Sequence, residues 1–300
     1  MNDSLITQTL RSKLKDYYSL TKPEVNLLIL MTTSAGYYLG SRGPFRIAHL
    51  INTLVGTLLV ASGTATLNQW MERVWDGQMR RTANRPLPSG RLSAREAFRF
   101  GAVLSIVGGV YLAATVNLLS SMLAVSTLLS YLLVYTPLKR KSPVCTLLGA
   151  VPGAMPTLIG WAGAAGNISR ESWLLFSILF LWQFPHFLAI ALMYREDYAR
   201  AGYRMLPSFD RDWRFTRAEI FGFAVILIAT TLLSVAGNHR PLYLTLPANR
   251  SRADDRVQTL TAAEFLATCE GSPNFGVQPI QIGFTALTTF HALGIAGAPV

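Results

Sequence analysis

Seven apolar stretches, each about as long as a helix needs to cross the roughly 30 Å hydrocarbon layer of a bilayer, leave this chain little room for any other architecture. They cover residues 25–40, 47–67, 98–117, 120–136, 144–165, 173–193 and 218–236. Lipid offers backbone N–H and C=O groups no partner, so a spanning segment must bond within itself, and the expected fold is all-α: a polytopic transmembrane helix bundle. Charged residues make up only 14% of the 300, against about a quarter in a soluble domain. Glycines at 101, 108 and 109 and at 149, 153, 160 and 163 would let neighbouring helices approach closely.

The Lys and Arg residues set the orientation. With the N-terminus inside, the inner segments 1–24, 68–97, 137–143 and 194–217 carry 19 of them and the outer loops 41–46 and 166–172 carry three. The excess marks the inner side, taken as cytoplasmic. Confinement of the basic residues to loops also accounts for the net charge of +11, so nucleic acid is not an expected partner. Residues 1–24 do not read as a cleavable signal peptide, because no short apolar core precedes a small-residue site. Cys145 and Cys269 define neither a disulfide framework nor a metal cluster.

The densest chemistry lies at 68–90, NQWMERVWDGQMRRTANRPLPSG. Asn68, Glu72, Asp76 and Arg80 are four apart, so a helix through them would place all four on one face, about 6 Å apart along its axis. Oxygen ligands at that spacing suit a hard cation such as Mg²⁺, and forked arginines suit phosphate oxygens. Asn68, Glu72 and Asp76 are therefore the candidate metal ligands, and Arg80, Arg81 and Arg85 candidate diphosphate ligands. Pro86 and Pro88 are expected to end the helix. Positive-inside bias explains the arginines equally well, but not the acid and amide spacing.

Two further inner segments face the same compartment. One carries Lys139, Arg140 and Lys141. The other, 194–207, carries Arg195, Glu196, Asp197, Tyr198 and Arg204 at the end of the sixth span, followed by the helix breakers Gly202 and Pro207. Between them Gln183 and His186 lie within an apolar span, where polar groups need a partner, and they mark a candidate substrate pocket. From the residues alone, an anion transporter also remains open, since intramembrane polar groups fit transport too.

Taken together, the first motif, LKR at 138–140, GAxPxLIGW at 153–161, WQFPHF at 182–187 and RxDYxxAGxxMLP at 195–207 resemble the haem-farnesylating group of the UbiA superfamily of intramembrane prenyltransferases, over about residues 20–235. The resemblance implies a bundle of nominally nine spans with acidic motifs after the second and sixth. It also implies Mg²⁺ as cofactor, farnesyl diphosphate as donor and haem B as acceptor, giving haem O, with haem A synthase and oxidase assembly factors as candidate partners. On this reading Asn68, Glu72, Asp76 and Asp197 hold metal and Tyr198 belongs to the catalytic set, while the guide of the final water stays open between His186, Tyr198 and another group. Arg80, Arg81, Arg85, Lys139, Arg140 and Arg195 neutralise the diphosphate, and Gln183 and His186 line the acceptor pocket. With no transit-type N-terminus, a bacterial inner membrane is expected. The nearer alternative is a prenyltransferase with an aromatic, quinone-precursor acceptor. This sequence departs from the superfamily at Tyr194 and Tyr198, which stand where a second pair of aspartates is usual, and in the polar segment 237–300, a divergent or frame-shifted tail in which 280–299 could form one short span.

Overall fold

The computed structural model describes residues 3–42, 44–210 and 212–236. The chain divides into two units, Met1–Leu242 and Tyr243–Val300, and every described residue belongs to the first. The atypical tail from 237, with its candidate span at 280–299, lies outside the described residues.

All regular structure among the described residues is helical: α1 (Asp3–Leu20), α2 (Pro23–Gly40), α3 (Ile47–Asp76), α4 (Ala94–Thr115), α5 (Leu118–Leu129), α6 (Thr136–Leu138), α7 (Cys145–Ala165), α8 (Arg170–Met193), α9 (Arg195–Arg200) and α10 (Arg214–Ala236). A π-helical turn, Ser130–Tyr135, joins α5 to α6, and Leu206–Ser208 forms a 3₁₀ turn. Each of the seven expected spans is present as a helix. Six of these helices are long and apolar enough to cross a bilayer; the 18-residue α2 is not among them. Helix α4 starts ahead of its apolar run because Ser93 and Glu96 form a reciprocal capping box, which satisfies donors otherwise left open at a helix start.

The bundle is built round α7, whose Ala150, Ala154, Leu158, Trp161 and Ala162 are fully or almost fully buried. Helices α2 and α7 touch backbone to backbone. A Cβ on Gly36 would sit 2.2 Å from the Thr157 carbonyl oxygen, and one on Gly160 would sit 2.0 Å from that of Thr33. Neither distance leaves space for any side chain. Polar groups inside the bundle are answered by other helices, as an environment without water requires. Asn117 accepts from the Ser120 N–H and donates to the Ala162 carbonyl, while Asn26 donates to Ser62 Oγ and to the Thr21 carbonyl.

Two local features shape the motif end of the bundle. Pro137 lacks a donor and would crowd the carbonyl four residues back, and the chain runs into it through the wider π turn that carries Tyr131 and Tyr135. Such turns recur at functional sites. The segment after α3 folds under α1: Leu20 packs with Leu87, Leu92 and Ala97, and Arg91 bonds Asp16 at 2.9 Å.

Candidate functional site

The last three turns of α3 carry Asn68, Glu72 and Asp76, only 1%, 5% and 1% exposed. A helix running to Asp76 puts residues four apart on one face, and that face looks into the bundle. Lys139 Nζ donates to Glu72 Oε1 at 2.8 Å, and Arg85 Nη1 donates to Asp76 Oδ2 at 2.7 Å. Asn68 donates to Thr136 Oγ1 at 3.2 Å and accepts from Lys22 Nζ at 3.4 Å.

Arg80 does not continue this ladder. Helix α3 stops at Asp76, with Gly77 as its C-cap, ten residues before the first proline. Thr82 donates its hydroxyl to the Asp76 carbonyl and Arg85 reaches back to the Asp76 carboxylate, so the chain turns over its own helix end. Arg80 is thereby carried away from the carboxylate face, and Pro86 and Pro88 lie in the following turns rather than ending the helix.

The second motif closes over the first. The Arg204 N–H donates to the Lys139 carbonyl at 2.9 Å, and Ala201 and Tyr203 form a buried cluster with Met79, against which Trp75 and Tyr198 pack. Tyr198 meets the Tyr203 ring edge-on, centroids 5.7 Å apart. Tyr203 is buried and its hydroxyl bonds Glu72; both burial and that carboxylate push its pKa well above the ordinary tyrosine value. Asp197 accepts the Arg81 backbone N–H at 3.3 Å and pairs with Arg200. It therefore joins the two motifs but is held by a cation of its own, Arg200, and by a backbone N–H.

The expected diphosphate cations divide into separate groups. Arg85 and Lys139 face the α3 carboxylates. Burial opposes the charge on Lys139, but the Tyr135 oxygen and the Glu72 carboxylate outweigh it and hold the ammonium well above its usual range. The Tyr135 ring lies 4.5 Å and the Tyr131 ring 5.8 Å from its nitrogen. Arg81 stacks on Tyr194 at 4.7 Å and Arg140 on Trp75 at 4.4 Å. Arg80 and Arg195 line a different hollow, a cavity of about 400 Å³ beside α9 that Arg200, Glu196 and Asp197 share.

Lys22 is the third cation at the carboxylate face, a residue legible in the sequence only as a marker of topology. It precedes Pro23 with φ 51°, in the left-handed region, a conformation few non-glycine residues adopt. That turn at the entrance to α2 brings its ammonium to Asn68. Burial, and then the Arg85 guanidinium, push its pKa down to about 7. Tyr131, Tyr135 and Tyr203 were also missed as site residues, since tyrosines near helix ends read as ordinary interface aromatics.

The deeper pair behaves unevenly. Gln183 is buried and donates to the Ala150 carbonyl of α7 at 3.0 Å, so its amide N–H bridges two helices. His186 is half-buried and stacks on Trp182, centroids 4.7 Å apart at 17°.

Among the described residues no three His, Cys, Asp or Glu side chains gather into a ready metal cage. The α3 face nevertheless suits a hard divalent cation. Its donors are oxygens, and Asp76 Oδ1 is buried with no hydrogen-bond partner, a costly state for a carboxylate oxygen unless something else meets it.

Residues 29–249 match the UbiA prenyltransferase family. A protoheme IX farnesyltransferase of Solibacter usitatus is 52% identical over 241 residues, 77% of this chain and 82% of that protein. One of Koribacter versatilis is 46% identical over 224 residues, 74% and 72% of the two chains. Among solved structures, a UbiA homologue of Archaeoglobus fulgidus bound to GPP and Mg²⁺ superposes with a TM-score of 0.65 at 16% identity, covering 94% of this chain and 97% of that one. A digeranylgeranylglyceryl phosphate synthase gives 0.62 at 21%, covering 75% and 78%. At such identities the structures establish the shared fold.

Proposed function

Because this chain belongs to the UbiA prenyltransferase family, we propose that it transfers the farnesyl group of farnesyl diphosphate to a vinyl group of haem B, giving haem O, and that it does so with Mg²⁺ in a bacterial inner membrane, its motif end cytoplasmic. One observation carries the site assignment: Asn68, Glu72 and Asp76 are buried on one face of α3 with Lys22, Arg85 and Lys139 directed at them. The protoheme IX farnesyltransferases that share 52% and 46% of their aligned residues with this chain support the choice of acceptor.

Asn68, Glu72 and Asp76 would hold the metal, which when bound supplies positive charge to the departing diphosphate. Lys139 and Arg85, released from their carboxylates, turn to the diphosphate oxygens, with Lys22 beside them. They stabilise the charge that builds as the carbon–oxygen bond breaks and its electron pair leaves with the diphosphate. Tyr131 and Tyr135 present ring faces beside that position and favour the allylic cation left behind. The vinyl group then gives its electron pair to form the new carbon–carbon bond. Water adds to the resulting cation and loses a proton, which leaves the hydroxyl. The bundle must keep water out until that step, as its apolar spans allow.

The test is transfer of labelled farnesyl diphosphate to haem B by the purified protein in nanodiscs, with and without Mg²⁺, the product identified by mass. A haem O mass that disappears on chelation is expected. Farnesylation of aromatic acceptors but not of haem B, by protein that binds farnesyl diphosphate, would overturn the acceptor assignment.

A further inference from the structure

The cationic side chains of the motif end fall into two groups where the sequence suggested one. The α3 carboxylate face has its own three cations, Lys22, Arg85 and Lys139. Arg80 and Arg195 instead border the cavity of about 400 Å³ at the end of α8, with Arg200 at its edge. Arg195 is oriented by stacking on Trp213 at 4.6 Å, which leaves the N–H edge of its guanidinium free for an anion. Neither Arg80 nor Arg195 pairs with a carboxylate among the described residues. Of the two acids in the cavity, Asp197 is already taken by Arg200 and the Arg81 N–H. Two guanidiniums therefore face the single open carboxylate of Glu196.

We infer that this cavity receives the two propionate carboxylates of the porphyrin acceptor and so decides which edge of the macrocycle enters the bundle. The inference rests on haem B being the acceptor. Haem B is amphipathic, with its vinyl groups on an apolar part of the ring and its propionates together on another. A membrane enzyme that carries a vinyl group to an allylic cation has to leave the propionates where cations and water meet them, because an unpaired carboxylate inside the bundle is costly. Helix α8 supplies both ends of such an arrangement. Leu192 and Met193 form the apolar side of the cavity. The stacked Trp182–His186 pair lies farther along the same helix, His186 about 10 Å and Trp182 about 16 Å from its end at the usual rise per residue, lengths on the scale of a porphyrin. The positions where the wider superfamily carries a second aspartate pair hold Tyr194 and Tyr198 in this chain, and Tyr194 lines the same cavity. The second motif thus serves an anion directly through arginine.

The experiment is a Soret titration of the protein in nanodiscs with haem B and with its dimethyl ester, in which both carboxylates are masked, corrected against empty nanodiscs. Wild type should bind the free acid at least about 10-fold more tightly, the equivalent of about 1.4 kcal/mol. R80Q/R195Q should bind both forms at the level of the ester, while inorganic pyrophosphate with Mg²⁺ still raises its unfolding midpoint as in wild type. Removing the opposing charge with E196Q should widen the preference for the acid. Equal affinity of wild type for acid and ester would overturn the inference and leave the haem reading intact; this comparison needs no variant. Loss of pyrophosphate protection in R80Q/R195Q with the acid preference retained would assign the cavity to the diphosphate instead. Wild type that binds farnesyl diphosphate but neither porphyrin would remove the acceptor reading itself.

Discussion

Replacing Lys139 with Met separates the stability of the site from its chemistry. The Lys139–Glu72 pair is 2.8 Å long, with side chains 12% and 7% exposed, so Lys139→Met strands a buried carboxylate. Breaking one side of a buried pair costs about 3–5 kcal/mol. Here the Tyr203 hydroxyl and the Lys22 ammonium remain near Glu72 and offset part of that, which leaves about 2–3 kcal/mol on the same scale. For a domain of this size each kcal/mol moves the unfolding midpoint by roughly 2–4 °C, so a fall of about 4–12 °C is expected. The neutral pair Glu72→Gln/Lys139→Met removes the stranded charge, and its midpoint should return most of the way to wild type, because replacing a whole buried ion pair is often close to neutral. Farnesyl transfer should be lost in both variants. Midpoints are to be read from tryptophan fluorescence in detergent at one fixed scan rate, since membrane proteins seldom unfold reversibly. A double variant as unstable as the single one, or a Lys139→Met midpoint equal to wild type, would refute the pairing argument.

Three further outcomes follow from the same geometry. Asp76→Asn keeps the size of the side chain and removes its charge, so farnesyl transfer should fall at least about 100-fold, as when one preorganised charge-stabilising group is lost; most activity retained in a monodisperse variant would sink the ligand assignment. With its pKa pushed down to about 7, first by burial and then by Arg85, folded Lys22 gives up a proton that the unfolded chain keeps to pH 10.5. The unfolded state binds more protons across that window, so the stability of the metal-free protein rises with pH there; the midpoint of Lys22→Met should rise less than that of wild type between pH 7 and 9.5, and parallel slopes would contradict the burial of this amine. Gly36→Ala and Gly160→Ala each force a methyl against backbone oxygen of the facing helix; both should lower the midpoint by about 1–3 kcal/mol equivalent, and a variant at the wild-type midpoint would mean that α2 and α7 pack less closely.

What the sequence reveals here, and what it hides, divides by the range of the interaction. The spans were legible because a run of about 20 apolar residues carries its own reason to be a helix in lipid. Asn68, Glu72 and Asp76 were legible because one helix period aligns them without help from any other element. Arg80 sits at the next step of the same period and failed, because the end of α3 is decided by Thr82 and Arg85 reaching back to Asp76, bonds that no periodicity encodes. Lys22 failed for a related reason: as one of many basic residues beside a span it carried only topological meaning, and its left-handed backbone is what turns it inward. Arginines are the least legible class of all, since a guanidinium in sequence does not say which anion it meets. Asp76 meets Arg85, Tyr194 meets Arg81, Trp75 meets Arg140, and Arg80 and Arg195 meet across an open cavity. Only the tertiary contacts between the two motifs sort one run of positive charge into the cations at the α3 carboxylates and the pair at the cavity beside α9, and the proposed diphosphate donor and porphyrin acceptor, both anionic, would each need one of these groups.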